Sequence, residues 1–139
     1  MSIQEKELEL VEEFNLFEDW MQKYEYIIDL GKELVLMDDN LKTEEKLIEG
    51  CQSKVWLHAE CIENKMRFQA DSEAIITKGI IALLIRVLDN EKPEDVVKAN
   101  FNFVQKIGLH EHLSPTRSNG LNGMIQKLKV LSLSHINKG

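Results

Sequence analysis

The chain has 139 residues, 43% hydrophobic and 29% charged with two prolines, the make-up of a single folded domain over residues 1–139 that can bury a core without disulfides or metals. Its formal charge of −7, from 17 basic against 24 acidic residues with no Lys/Arg block, has nothing to set against a phosphate backbone or an anionic bilayer. That balance argues against nucleic acid and membrane surfaces as partners.

The opening Met1-Ser2-Ile3-Gln4-Glu5-Lys6-Glu7 has the pattern of neither a signal peptide nor a transit peptide. Ser2 and Glu5 have the spacing of a capping box, which starts a helix almost at once. Phe14, Phe17, Met21, Tyr24 and Ile28 recur at steps of three and four, predicting one helical face, and Gly31 is the predicted stop. The chain to about Leu47 is irregular, with a turn at Asp38-Asp39-Asn40.

The period then changes. Val55, Leu57 and Ala59 alternate with Trp56, His58 and Glu60, and Met66, Phe68 and Ala70 with Lys65, Arg67 and Gln69. Two such runs joined through Glu63-Asn64 predict a β-hairpin with one buried face. Asp71 or Ser72 is expected to cap the next helix, Ala74 to Leu88, whose nearly all-round apolar surface marks a buried element. That stretch carries Lys78 and Arg86 and is too short to span a bilayer. Pro93 opens a short helix, Phe101 to Ile107 forms another that Gly108 ends, and Ser114-Pro115 caps a last helix to about Leu131. The expected class is α+β, a small antiparallel sheet packed against helices.

Two cysteines fit a reducing cytoplasm and are too few for a disulfide framework. Cys51 follows Gly50 and precedes the first strand, which puts its thiol on a loop at the lip of the sheet. A buried structural cysteine sits more often within an apolar periodic run, which this one does not, so the residues alone leave a reactive and a bystander thiol both open. A helix N-terminus or Arg117 close by would raise its thiolate fraction. Cys61 lies at the far end of that strand, too distant for a disulfide. His110 and His112 lack the spacing of a zinc site. Cys51 with a distant His leaves a thiol hydrolase or redox protein open. Gly120 and Gly123 each cost the last helix about 1 kcal/mol relative to Ala, so another backbone packs there: the sheet, or the Cys51 loop. Arg117 in the first turn of that helix opposes the helix dipole, as a partner contact or a solvated side chain.

Three segments together resemble one family. Gly50-Cys51-Gln52-Ser53-Lys54-Val55-Trp56-Leu57 is similar to the active-cysteine loop and first strand of SufE proteins. Asp71-Ser72-Glu73-Ala74 with Lys78-Gly79 and Ala82-Leu83-Leu84 resembles their "DSxA … KGxxALL" helix, with Glu73 where Asp is also common. His112-Leu113-Ser114-Pro115-Thr116-Arg117 with Gly120-Leu121 is similar to their "HLSPxRxxGL" signature, and Phe14, Asp19-Trp20 and Tyr24 match the family's opening.

The resemblance implies a SufE/NifU-like fold and a sulfur acceptor that is not itself an enzyme. Its partner would be a SufS-type cysteine desulfurase, which holds the pyridoxal phosphate; the chain itself would need no cofactor. Cys51 would take persulfide sulfur, stimulate the desulfurase and deliver the sulfur to an iron–sulfur scaffold. Gly50, Gln52, Ser53, Glu73 and Arg117 would support the loop or contact the partner, and the loop is expected to swing outward about Gly50. A NifU/IscU-like scaffold is the alternative, but cluster binding calls for several cysteine ligands.

Overall fold

The computed structural model describes residues 2–51 and 53–136. Helix α1 (Ile3–Asn15) opens on the expected capping box: the Glu5 amide donates to Ser2 Oγ, and the Ser2 amide donates to Glu5 Oε1. Helix α2 (Trp20–Lys32) is a separate rod, capped by Asp19, whose Oδ1 accepts from the Gln22 amide. The face expected from Phe14 to Ile28 is therefore broken between the rods. Met21, at the start of the second, is 67% exposed. Phe14, Phe17 and Tyr26 instead form an aromatic cluster across the joint, with Phe14 and Tyr26 edge to face at 5.4 Å.

Gly31 is no stop. It lies inside α2, where a Cβ would stand 2.8 Å from the Gly79 amide nitrogen. A Cβ at Gly79 would in turn stand only 2.2 Å from the Ile27 carbonyl oxygen. The two glycines let α2 press backbone to backbone on α3 (Ile75–Leu88), the apolar helix at the centre of the core.

Between α2 and the sheet the chain makes 3-10 turns at Asp39–Leu41 and Glu44–Lys46. Strands β1 (Val55–Ile62) and β2 (Lys65–Ser72) pair antiparallel, Val55 opposite Ser72 and Ile62 opposite Lys65. Glu63 and Asn64 close the hairpin with φ of 51° and 63°, the two left-handed residues that a tight hairpin turn requires. Val55, Leu57, Met66, Phe68 and Ala70 are buried as the alternation demands. The Ile48 amide donates to the Val55 carbonyl at 2.9 Å, so the segment leading to Cys51 lies along the free edge of β1.

Asp71 and Ser72 belong to β2, and the cap residue of α3 is Ala74, with no side-chain cap. Asp71 is drawn elsewhere: its carboxylate pairs with Lys42 at 2.8 Å and Lys78 at 3.3 Å, tying the sheet to α3. Ser72 Oγ accepts from the Ala74 amide and so shapes the turn just ahead of the helix.

Helices α4 (Pro93–Lys98), α5 (Asn102–Lys106) and the single turn α6 (Leu109–His112) follow. Gly108, at φ 80°, ends one segment and begins the next. Helix α7 (Pro115–Leu133) starts as expected, Ser114 Oγ accepting from the Arg117 amide, and runs two residues past the predicted end. The result is α+β, with a two-stranded sheet against helices and one contiguous buried cluster centred on α3. No helix among the described residues is long and apolar enough to cross a membrane.

Candidate functional site

Gly50 turns the chain at φ 87°, in the left-handed region that only glycine enters freely, and hands Cys51 to the first turns of α7. The half-buried Cys51 thiol donates to the Gly120 carbonyl, with 3.7 Å between Sγ and oxygen. A Cβ on Gly120 would come 3.2 Å from Sγ, and one on Gly123 would come 2.7 Å from the Glu49 carbonyl oxygen. These two glycines therefore seat the Cys51 loop, which decides between the partners left open for them.

Sγ faces a cavity of about 50 Å3 lined also by Ser53, Ala74, Thr77, Ile80, Thr116, Arg117, Gly120 and Met124. The first turns of α3 and α7 both reach it, so two positive helix ends converge near the sulfur, with Arg117 at the rim. Even so, burial pushes the Cys51 thiol above its ordinary range. Burial thus works against the thiolate at this seat, whereas the two helix ends and Arg117 would work for it. Among the described residues, no three His, Cys, Asp or Glu side chains gather as a metal site.

Of the residues expected around the thiol, Ser53 and Arg117 share its cavity. Glu73 does not. It is exposed, and its amide donates to the Lys54 carbonyl at 3.1 Å. Gln52 lies outside the described residues. Cys61 sits opposite Met66 near the hairpin turn, and both thiols are free. His112 stacks on Trp20 at 4.3 Å, joining α6 to α2. Residue-by-residue reading missed Ala74, Thr77, Ile80, Thr116 and Met124. The available signal was Thr77, a polar residue inside an apolar helix.

Comparison with known proteins gives the family and the fold. Residues 8–132 match the model of SufE, described as an Fe–S metabolism associated domain. The chain belongs to the SufE family. A SufE-like protein of Rhizobium meliloti (strain 1021), itself described as uncharacterized, is 32% identical over 87% of this chain and 90% of its own length. SufE-like protein 1 of Arabidopsis thaliana, described as chloroplastic/mitochondrial, is 34% identical over 90% of this chain, which spans only 34% of that longer relative. In structure, a hypothetical protein from Thermus thermophilus matches with a TM-score of 0.80 over 96% of this chain and 97% of its own, at 21% identity. SufE family membership places the chain in iron–sulfur metabolism.

Proposed function

We propose that this chain accepts sulfane sulfur on Cys51 from a SufS-type cysteine desulfurase and carries it to an iron–sulfur scaffold, stimulating the desulfurase by relieving it of its persulfide. The observation that carries this reading is a lone thiol at the tip of a glycine-seated loop, facing a cavity with no other cysteine in its lining. In the transfer, the Cys51 thiolate forms a bond to the outer sulfur of the partner's persulfide, and the old S–S bond breaks with its electron pair on the partner's cysteine. One thiol and one persulfide go in, and one persulfide and one thiol come out, so no oxidant or reductant is consumed. A second thiol within reach would expel the sulfur as sulfide by closing a disulfide, and the cavity lining offers none.

Burial disfavours the thiolate at the seat and shields the sulfur from a partner, so transfer calls for the loop to leave its seat, with Gly50 as the hinge. The setting is a reducing compartment, the cytoplasm, where a free thiol persists. The test mixes the protein with a SufS-type desulfurase and cysteine and reads intact mass. A gain of one sulfur on the wild type and on Cys61→Ser, absent in Cys51→Ser, is the expected result. Sulfur on Cys61, or none at all, overturns the reading.

A further inference from the structure

The cavity beside Cys51 holds more polar groups than a shelter for sulfur requires. Thr77 occupies the third position of α3, and its hydroxyl engages no other group among the described residues, although a helical threonine commonly bonds back to a carbonyl one turn earlier. Every other residue of α3 from Ile75 to Ile85 except Lys78 is apolar or glycine, so Thr77 is the hydroxyl that α3 brings to the lining, with Ser53, Thr116 and Arg117 coming from other elements. Lys78 is engaged with Asp71 and does not line the cavity.

We infer that Thr77 is a positioning residue for the cargo: its hydroxyl donates to the outer sulfur of a persulfide on Cys51 and holds that sulfur inside the cavity. The size fits. A cavity needs about 10–15 Å3 to admit a water-sized atom, and about 50 Å3 is present. The added sulfur lies about 2.05 Å from Sγ, inside the space Sγ already faces.

The chemistry fits as well. The seated thiol spends its one proton on the Gly120 carbonyl and asks nothing of Thr77. A persulfide differs: its outer sulfur is more acidic than a thiol because the adjoining sulfur withdraws charge, so at neutral pH it is largely an anion that accepts hydrogen bonds. The hydroxyl and the positive end of α3 then stabilise the loaded form over the unloaded one. The cavity so discriminates cargo from empty thiol, and loading favours the seated loop.

This inference rests on the sulfur-carrier reading, and its test bypasses the desulfurase. The wild-type protein, Thr77→Val and Thr77→Ser are loaded on Cys51 with inorganic polysulfide, and loss of the added sulfur to a small thiol is followed by intact mass across a range of pH. Valine keeps the volume and removes the donor; serine keeps the donor. Expected is about tenfold faster loss in Thr77→Val, as for one charge-assisted hydrogen bond, with rates near wild type in Thr77→Ser. The valine effect should fade as pH falls and the outer sulfur is protonated. Equal rates in all three proteins, or a valine effect that serine does not rescue, overturn the inference while leaving the carrier reading intact. Stable loading by polysulfide with no transfer from a desulfurase instead contradicts the carrier reading.

Discussion

Two glycine seams run through this molecule, and they are built for opposite purposes. Gly31 and Gly79 bring α2 onto α3, backbone against backbone, deep in the core. Gly120 and Gly123 bring a loop onto α7, and there the nearest atom to one of the glycines is a thiol. At the first seam every close neighbour is main chain or a buried Ile27 side chain, so nothing can yield without parting two helices. At the second, one neighbour is the movable Cys51 side chain and the other is the carbonyl of a loop residue, Glu49. One device fixes the fold; the other seats a thiol on a loop, which the proposed carrier role would require it to release.

The largest effect should come from closing the first seam. Gly79→Ala gains about 1 kcal/mol of helix propensity but drives a methyl to 2.2 Å from the Ile27 carbonyl oxygen. Overpacking outweighs the gain, and a net loss of about 2 kcal/mol is expected in urea unfolding. A variant as stable as wild type would show that the seam is loose. Gly123→Ala should act differently, because its clash falls on the Glu49 carbonyl in the loop. The helix gains propensity while the seat is lost. Stability should stay within about 1 kcal/mol of wild type, while iodoacetamide labels Cys51 severalfold faster. If labelling did not change, the loop would not be seated by α7.

Gly120→Ala should give the milder form of the same phenotype, since Sγ at 3.2 Å can rotate away. Labelling of Cys51 should then rise less than in Gly123→Ala. In the wild type, burial raises the Cys51 pKa, so labelling near neutral pH should be slower than for the same cysteine in the urea-unfolded chain. The deficit should narrow as pH climbs through the raised value.

The smallest effect concerns Asp71, beside the first seam. Burial alone would raise its carboxyl pKa, but Lys42, the Ser72 amide and Lys78 outweigh that and hold it below the ordinary range. A depressed carboxylate contributes stability above its unfolded pKa and loses it as pH falls through the folded value. The stability gap between wild type and Asp71→Asn should therefore be constant above about pH 5 and close in more acid solution. A gap that persisted in strong acid would mean the carboxylate's charge is not its contribution.

Local signals carried much of the fold. The alternation around Glu63-Asn64, the apolar run into Leu88, Pro93, Gly108 and Ser114-Pro115 each encode their element within a few residues, and each is found where it was expected. What misled were residues whose partners lie far along the chain. Gly31 reads as a helix stop because a lone glycine costs a helix stability, yet its reason is Gly79, 48 positions on. Asp71 has the chemistry of a cap, and only the fold brings Lys42 and Lys78 to it. The site divides the same way: Cys51, Ser53 and Arg117 were legible from motif resemblance, whereas Thr77 and Met124 reach the thiol only through the packing of α3 and α7. Glu73 shares the motif but stays outside the cavity, where its neighbour Ala74 stands in the lining.

The central claim is that the second seam seats a sulfur-carrying thiol. It is tested most directly by intact mass of Cys51→Ser, Cys61→Ser and wild type after incubation with a SufS-type desulfurase and cysteine. One added sulfur on wild type and Cys61→Ser, and none on Cys51→Ser, is the predicted result. Sulfur retained by Cys51→Ser would contradict it.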